Sequence, residues 1–144
     1  MTKEELYRQL EQNLEHYNVI INKVKSNRVI IDVSADDIVE LSKYFLQTLK
    51  CRLVTATATQ PERDFEIYYH FSHDETGLIM NLHVRVPYDQ PEIKSIATLT
   101  KSANWIEREM HELFGIEFEG HPEKGPLISD GNWEPGEFPY RKKT

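Results

Sequence analysis

Between Asp64 and Val86 the chain alternates apolar and polar residues twice, first in DFEIYYHF and again in LIMNLHVRV. Phe65, Ile67, Tyr69 and Phe71 fall on one side of the first stretch, and Glu66, Tyr68 and His70 on the other. In the second, Leu82, Val84 and Val86 oppose Asn81, His83 and Arg85. A period of two marks a strand, and one polar side marks a sheet with one wet face, the habit of antiparallel strands. Asp74-Glu75-Thr76-Gly77 reads as the turn between them, and Pro87, which cannot donate to a ladder, ends the second. Within HFSH, His70 and His73 point to opposite faces of a continuous strand and make a poor pair of metal ligands.

The remaining elements are built around that pair. LVTATATQ predicts a third strand in which Thr alternates with Val54, Ala56 and Ala58, small inward residues that let a helix approach closely. VIINKVK and NRVIIDV, split at Ser26-Asn27, predict a hairpin. Thr2 with Glu5 forms a capping box, and Leu6, Leu10, Leu14 and Tyr17 extend a helix over residues 3–17. Ser34 caps a second helix, with Asp36 and Asp37 in the first turn where the helix dipole favours acids. Its apolar face is Ile38, Leu41, Phe45, Leu46 and Leu49. A third helix spans residues 101–114. The class that follows is α+β, a mostly antiparallel sheet covered by helices on one face.

A chain of 144 residues suits one domain, and its size allows burial of roughly 70% of the unfolded surface. We place that domain at residues 1–114. Residues 115–144 hold five of the six glycines and four of the seven prolines, so they predict an extended arm rather than another regular element. Phe118, Leu127, Ile128, Trp133, Phe138 and Tyr140 nonetheless give that arm apolar surface, either to fold back on the domain or to lie across a partner. A formal charge of −7 would repel a phosphate backbone, which argues against nucleic acid. Cys51 stands alone, so no internal disulfide forms, and the chain fits a reducing compartment. No apolar run approaches the ~20 residues of a membrane span, and MTKEELYRQLEQ lacks the apolar core of a signal peptide. Membrane association would go through a partner.

The densest chemistry lies in NWIEREMHELFGIEFEGHPE, from Asn104 to Glu123. At about 100° per residue, Ile106, Met110 and Leu113 share the core arc of the third helix, with Phe114 at its edge. Glu107 lies beside Phe114, one turn from His111, and Arg108 with Glu112 forms an i, i+4 pair on the opposite flank. Glu109 falls between Leu113 and Trp105 at the apolar margin, where a carboxylate needs a donor or a proton. Three readings compete. The charges form a solvated face, or Glu107 and His111 are metal ligands without an HExxH motif, or the helix docks on another polypeptide that desolvates and pairs its charges.

The whole stretch resembles the motif of a known family. Glu107-Arg108-Glu109, then Glu112, Leu113-Phe114, six residues, His121 and, farther on, Leu127-Ile128 look like the signature of the 30-kilodalton (C-type) subunit of NADH-quinone oxidoreductase, or complex I. That family includes the homologous subunit of energy-converting membrane-bound NiFe hydrogenases. FGIEFEGHP is the most specific part, and NWEPGEFPYRKK is similar to the family's aromatic, Pro-rich, basic ending. Glu112 stands where the family usually has Asp, and Gly125 where it has Arg, Lys or Pro, with Lys124 just before.

The resemblance implies a subunit with no active site, cofactor or metal of its own. Iron–sulfur clusters and a NiFe or quinone site would belong to its partners, a large catalytic-type subunit and a small iron–sulfur subunit. It implies a peripheral place on the cytoplasmic side of the membrane, in electron transfer coupled to ion movement. The absence of a Cys cluster, a GxGxxG and a P-loop agrees. The compact end after the motif looks more like the hydrogenase-type subunit than the longer respiratory one. The docking residues expected on this basis are Glu107, Arg108, Glu109, Glu112, Phe114, Gly115, His121, Pro122, Trp133, Tyr140 and Arg141, with Gly115 ending the helix at positive φ. The rival from another class is a small soluble acid–base or metal-dependent hydrolase using Glu109 or Glu112 with His111 or His121.

Overall fold

The computed structural model describes residues 1–123. Thr2 caps α1 (Lys3–Asn13) by accepting the Glu5 amide at 3.1 Å. Leu6 and Leu10 are buried along its inner face. The helix stops earlier than its apolar spacing predicts. Leu14 is its C-cap and stays buried, while Tyr17 lies in the bend that feeds β1 (Ile20–Lys25). β1 and β2 (Arg28–Asp32) form the expected antiparallel hairpin.

Ser34 accepts the Asp36 amide and opens a 3-10 turn that runs into α2 (Ile38–Lys43) and then a wider π-type turn over Tyr44–Thr48. Ile38, Leu41 and Phe45 from this composite helix point into the core. Lys50, at φ 59°, occupies the left-handed region as the chain reverses into β3.

β3 (Arg52–Thr59), β4 (Asp64–His73) and β5 (Leu78–Pro87) form an antiparallel meander, and Gly77 at φ 77° completes the β4–β5 turn. The five-stranded sheet has the order β1-β2-β5-β4-β3. Its central seam, between β2 and β5, is parallel. The alternation read from sequence sets the two faces. Phe65, Ile67, Tyr69 and Phe71 of β4, with Met80, Leu82, Val84 and Val86 of β5, form one core with the buried leucines of α1 and α2. Glu66, Tyr68, His70, Asn81, His83 and Arg85 take the other face. Val54 departs from its expected inward place, because a bulge between Leu53 and Thr55 turns it out to solvent.

Two elements lay outside the sequence reading. β6 (Glu92–Lys94) and β7 (Glu117–Glu119) pair in parallel, joined by α3 (Lys101–Phe114). The first residues of the expected arm therefore belong to the packed fold, with Ile116 and Phe118 buried in the same core. Among the described residues no helix is long and apolar enough to cross a membrane.

The core's aromatic joint is Phe45 stacked on Phe71, with centroids 5.3 Å apart. Phe71→Ala should lower unfolding free energy by about 3–5 kcal/mol, read as a shift in urea midpoint with an unchanged denaturant slope.

Candidate functional site

α3 is rolled relative to the sequence reading. Ala103, Glu107 and Met110 are its buried residues, while Ile106, Leu113 and Phe114 are half-buried and Trp105 is 54% exposed. The desolvated carboxylate is therefore Glu107, at 1% exposure, and Glu109 is only half-buried. The physical reason lies in the loop after β6. Ser95 Oγ donates to Glu107 Oε1 at 2.5 Å, and the Ile96 amide donates to Oε2 at 2.8 Å. Ser95 Oγ in turn accepts the Ala97 amide at 3.0 Å. A carboxyl so supplied can be buried where an unpaired one could not. Burial still dominates. It raises the Glu107 pKa above the ordinary carboxylate range, against the lowering effects of the two hydrogen bonds and of His121 nearby.

The same carboxyl faces the turn after β7. His121 is buried, with Nε2 3.9 Å from Glu107 Oε1. Its ring is fixed at both ends. Nδ1 accepts the Glu123 amide at 3.0 Å, so Nε2 carries the hydrogen and donates to the Asn104 carbonyl at 3.1 Å. Gly115, at φ 80°, ends α3 in the left-handed region as expected, its amide donating to the His111 carbonyl at 2.8 Å. His111 Nδ1 donates to the Ile116 carbonyl at 3.1 Å, which ties the helix end to the chain that follows. Arg108 Nη1 donates to Glu123 Oε2 at 3.1 Å, and Phe114 meets Phe65 edge-on at 6.0 Å.

Arg108, His111, Gly115 and His121 thus tie α3 to the chain up to residue 123, while Glu107 ties it to the loop after β6 and lies beside His121. Glu109 and Glu112 are half-buried on the same helix, and Pro122, in the turn, is exposed. Trp133, Tyr140 and Arg141 lie outside the described residues. Sequence reasoning missed Ser95 and Asn104 as partners of the motif, since nothing local marks them. It also missed Trp105 as an outward residue. Ala103 was the available signal, because counting it as apolar turns the helix toward the observed face.

The motif residues lie apart from two cavities of the described residues. Cavities of about 310 Å³, beside Thr48, Lys50, His73 and Glu75, and about 280 Å³, beside Tyr7, Leu14, Tyr17 and Ile21, both lie away from these residues. Among the described residues no group of three His, Cys, Asp or Glu side chains has the geometry to hold a metal ion.

Because Glu107 binds its proton more tightly in the folded chain than in the unfolded one, its contribution to stability is fully present below the unfolded pKa. It is lost as pH rises through the folded pKa. Glu107→Gln should abolish that dependence and keep the fold. Glu107→Ala, which strands the Ser95 hydroxyl and the Ile96 amide, should cost about 1–3 kcal/mol at every pH. Denaturation curves from pH 4 upward separate the two. Gly115→Ala should cost about 1–2 kcal/mol in the same assay, since alanine is strained at this φ.

The family model described as respiratory-chain NADH dehydrogenase, 30 Kd subunit, matches residues 31–144. The C subunit of the F(420)H(2) dehydrogenase of Methanosarcina mazei is 42% identical over 83 residues, covering 57% of this chain and 52% of that one. The C subunit of the NADH-quinone oxidoreductase of Cereibacter sphaeroides is 33% identical over 118 residues, covering 78% and 58%. The chain thus spans just over half the length of these relatives. In fold it is similar to a chain in the membrane-bound sulfane sulfur reductase, an archaeal respiratory membrane complex. The TM-score is 0.77 at 24% identity, over 96% of this chain and 82% of that one. With the motif gathered on one helix and its flanking turns, and the family model covering all but the first thirty residues, the chain belongs to the 30-kilodalton subunit family of complex I-type respiratory oxidoreductases.

Proposed function

We propose that this chain is a non-catalytic docking subunit in the peripheral arm of a complex I-like membrane assembly. It braces a large catalytic-type subunit against a small iron–sulfur subunit. The assembly is of the NADH-quinone oxidoreductase or membrane-bound hydrogenase type. Its iron–sulfur clusters, and its NiFe or quinone site, sit in the partners. The chain lies on the cytoplasmic side and reaches the membrane only through them.

One observation carries this reading: the motif's polar groups are spent on holding the chain together. Glu107 and His121 are buried and bonded to backbone and Ser95, so their chemistry is directed at the fold rather than at a substrate. Acid–base catalysis by Glu109 or Glu112 with His121 would need that imidazole free, and both of its nitrogens are engaged. What α3 turns outward is an exposed Trp105 flanked by half-buried charged side chains. An aromatic anchor ringed by polar groups is the composition of an interface hot spot. In this reading Glu107 acts indirectly, by holding the loop after β6 and with it the roll of α3.

The test is affinity purification of the full chain from native membranes. Trp105→Ala and Arg108→Glu should each reduce the co-purifying large subunit by about tenfold or more, while the far-ultraviolet circular dichroism of the isolated chain stays unchanged. Undiminished recovery with both variants would place the contact elsewhere and refute the docking role of α3.

A further inference from the structure

β1 is one edge of the five-stranded sheet, and among the described residues no strand pairs with its outer side. The other edge is β3, against which α3 packs, so β1 lies across the sheet from the family motif. An edge strand turns alternate N–H and C=O groups outward without partners. Along β1 every residue except the half-buried Ile21 is exposed. Ile21 packs against the core, so Ile20 and Val24 fall on the face away from the helices, where they are 61% and 51% exposed. Lys23, on the same side as Ile21, reaches back over the Tyr7 ring of α1, its Nζ 5.6 Å from the centroid.

The groove of about 280 Å³ opens beside the first half of this strand, between α1 and the chain that leads into β1. Leu14, Val19 and Ile21 give it an apolar lining, and the half-buried rings of Tyr7 and Tyr17 add two aromatic surfaces. Glu11 and Glu15, both exposed, complete it. The surroundings are negative as well. Burial, and then the carboxylates of Glu40 and Asp37, push the Tyr17 phenol above its usual range. Aromatic faces beside unpaired carboxylates favour a cation on a long apolar stem, and Lys23 over Tyr7 is an example within the chain itself.

We propose that β1 and this groove form a docking site for an extended segment of another polypeptide, one that alternates apolar and basic residues. The segment adds a strand to the open edge, and its backbone takes the outward N–H and C=O groups of β1. Its side chains then alternate between two faces. The apolar ones lie beside Ile20 and Val24, as cross-strand neighbours on the face away from the helices. The basic one enters the groove, between the tyrosine rings and against Glu11 and Glu15. Lys23 and Lys25 repel a basic residue from the far half of the strand, which directs it to the end that starts at Ile20. Charge complementarity selects this occupant, since an acidic segment would meet the groove's carboxylates. Neither α3 nor the turn after β7 takes part, so the site stands or falls apart from the docking role of α3.

The probes are two capped peptides, acetyl-Thr-Val-Arg-Val-Thr-amide and its counterpart with glutamate in place of arginine. Each is titrated to millimolar concentration into the full 144-residue chain and followed by amide and tyrosine-ring NMR shifts. The arginine peptide should shift the amides of Ile20, Ile21 and Asn22 and the rings of Tyr7 and Tyr17. It should bind about tenfold more tightly than the glutamate peptide. Glu11→Lys combined with Glu15→Lys, at two exposed positions, should remove that preference and leave the circular dichroism unchanged. An arginine peptide that binds no better than the glutamate one, shifts only other residues, or keeps its advantage on the doubly substituted chain overturns the proposal. So do β1 shifts that move with chain concentration alone, which would put a second copy on the edge. In the assembly purified from native membranes, β1 amide exchange should slow about tenfold or more relative to the isolated chain. Equal exchange in the two would also overturn it.

Discussion

The burial of one carboxyl organises the half of the molecule that carries the family motif. Glu107 sits in the middle of α3 with no exposed surface to speak of, and it is held there by a serine hydroxyl and a backbone amide from the loop after β6. Those two bonds fix α3's roll angle, which decides that Trp105 points out and Ala103 points in. They also fix the loop between β6 and α3, and so the pairing of β6 with β7. His121, closing on the same carboxyl from the far side, completes a polar centre inside an otherwise apolar junction. A hydrophobic residue in place of Glu107 could fill the space but would leave the Ser95 hydroxyl and the Ile96 amide without acceptors.

The parts of the fold that were legible in sequence are those whose signals are local. Alternation in β4 and β5 set both faces of the sheet, the Thr2 and Ser34 caps set helix starts, and Gly115 set a helix end. What was not legible depended on partners far along the chain. The roll of α3 was misjudged because a glutamate counts as polar until Ser95 and Ile96 are seen beneath it. The bulge at Val54 has no marker within LVTATAT itself. β6 is three residues long, EIK, and only pairing with β7 makes it a strand. For the site, the resemblance singled out Asn104–Glu123, and the structure shows which bonds its residues make. Glu107 and His121 bond inward, and Trp105 is what faces out.

Membership of the complex I 30-kilodalton family and the geometry of α3 bear on different questions. The family relation concerns the kind of assembly. The geometry concerns how a charged segment can be compatible with a packed interior, which is by pairing each buried polar group with backbone or a short side chain. The opposite face of the sheet uses the same rule across strands. There Asp32, His83 and Glu66 satisfy one another without any covering layer among the described residues. The two centres sit on opposite sides of the sheet, so a substitution in one leaves the hydrogen bonds of the other intact.

The parallel seam between β2 and β5 also governs how the chain reaches this structure. Arg28 pairs beside Ile79, and everything from α2 to β4 is strung between them. The β1–β2 and β4–β5 hairpins can close quickly from neighbouring residues, whereas the middle of the sheet must wait for a long loop to be gathered in. During synthesis the first hairpin leaves the ribosome with one edge of β2 unpaired until β5 has been made. That interval is when this chain is most exposed to pairing with the wrong strand.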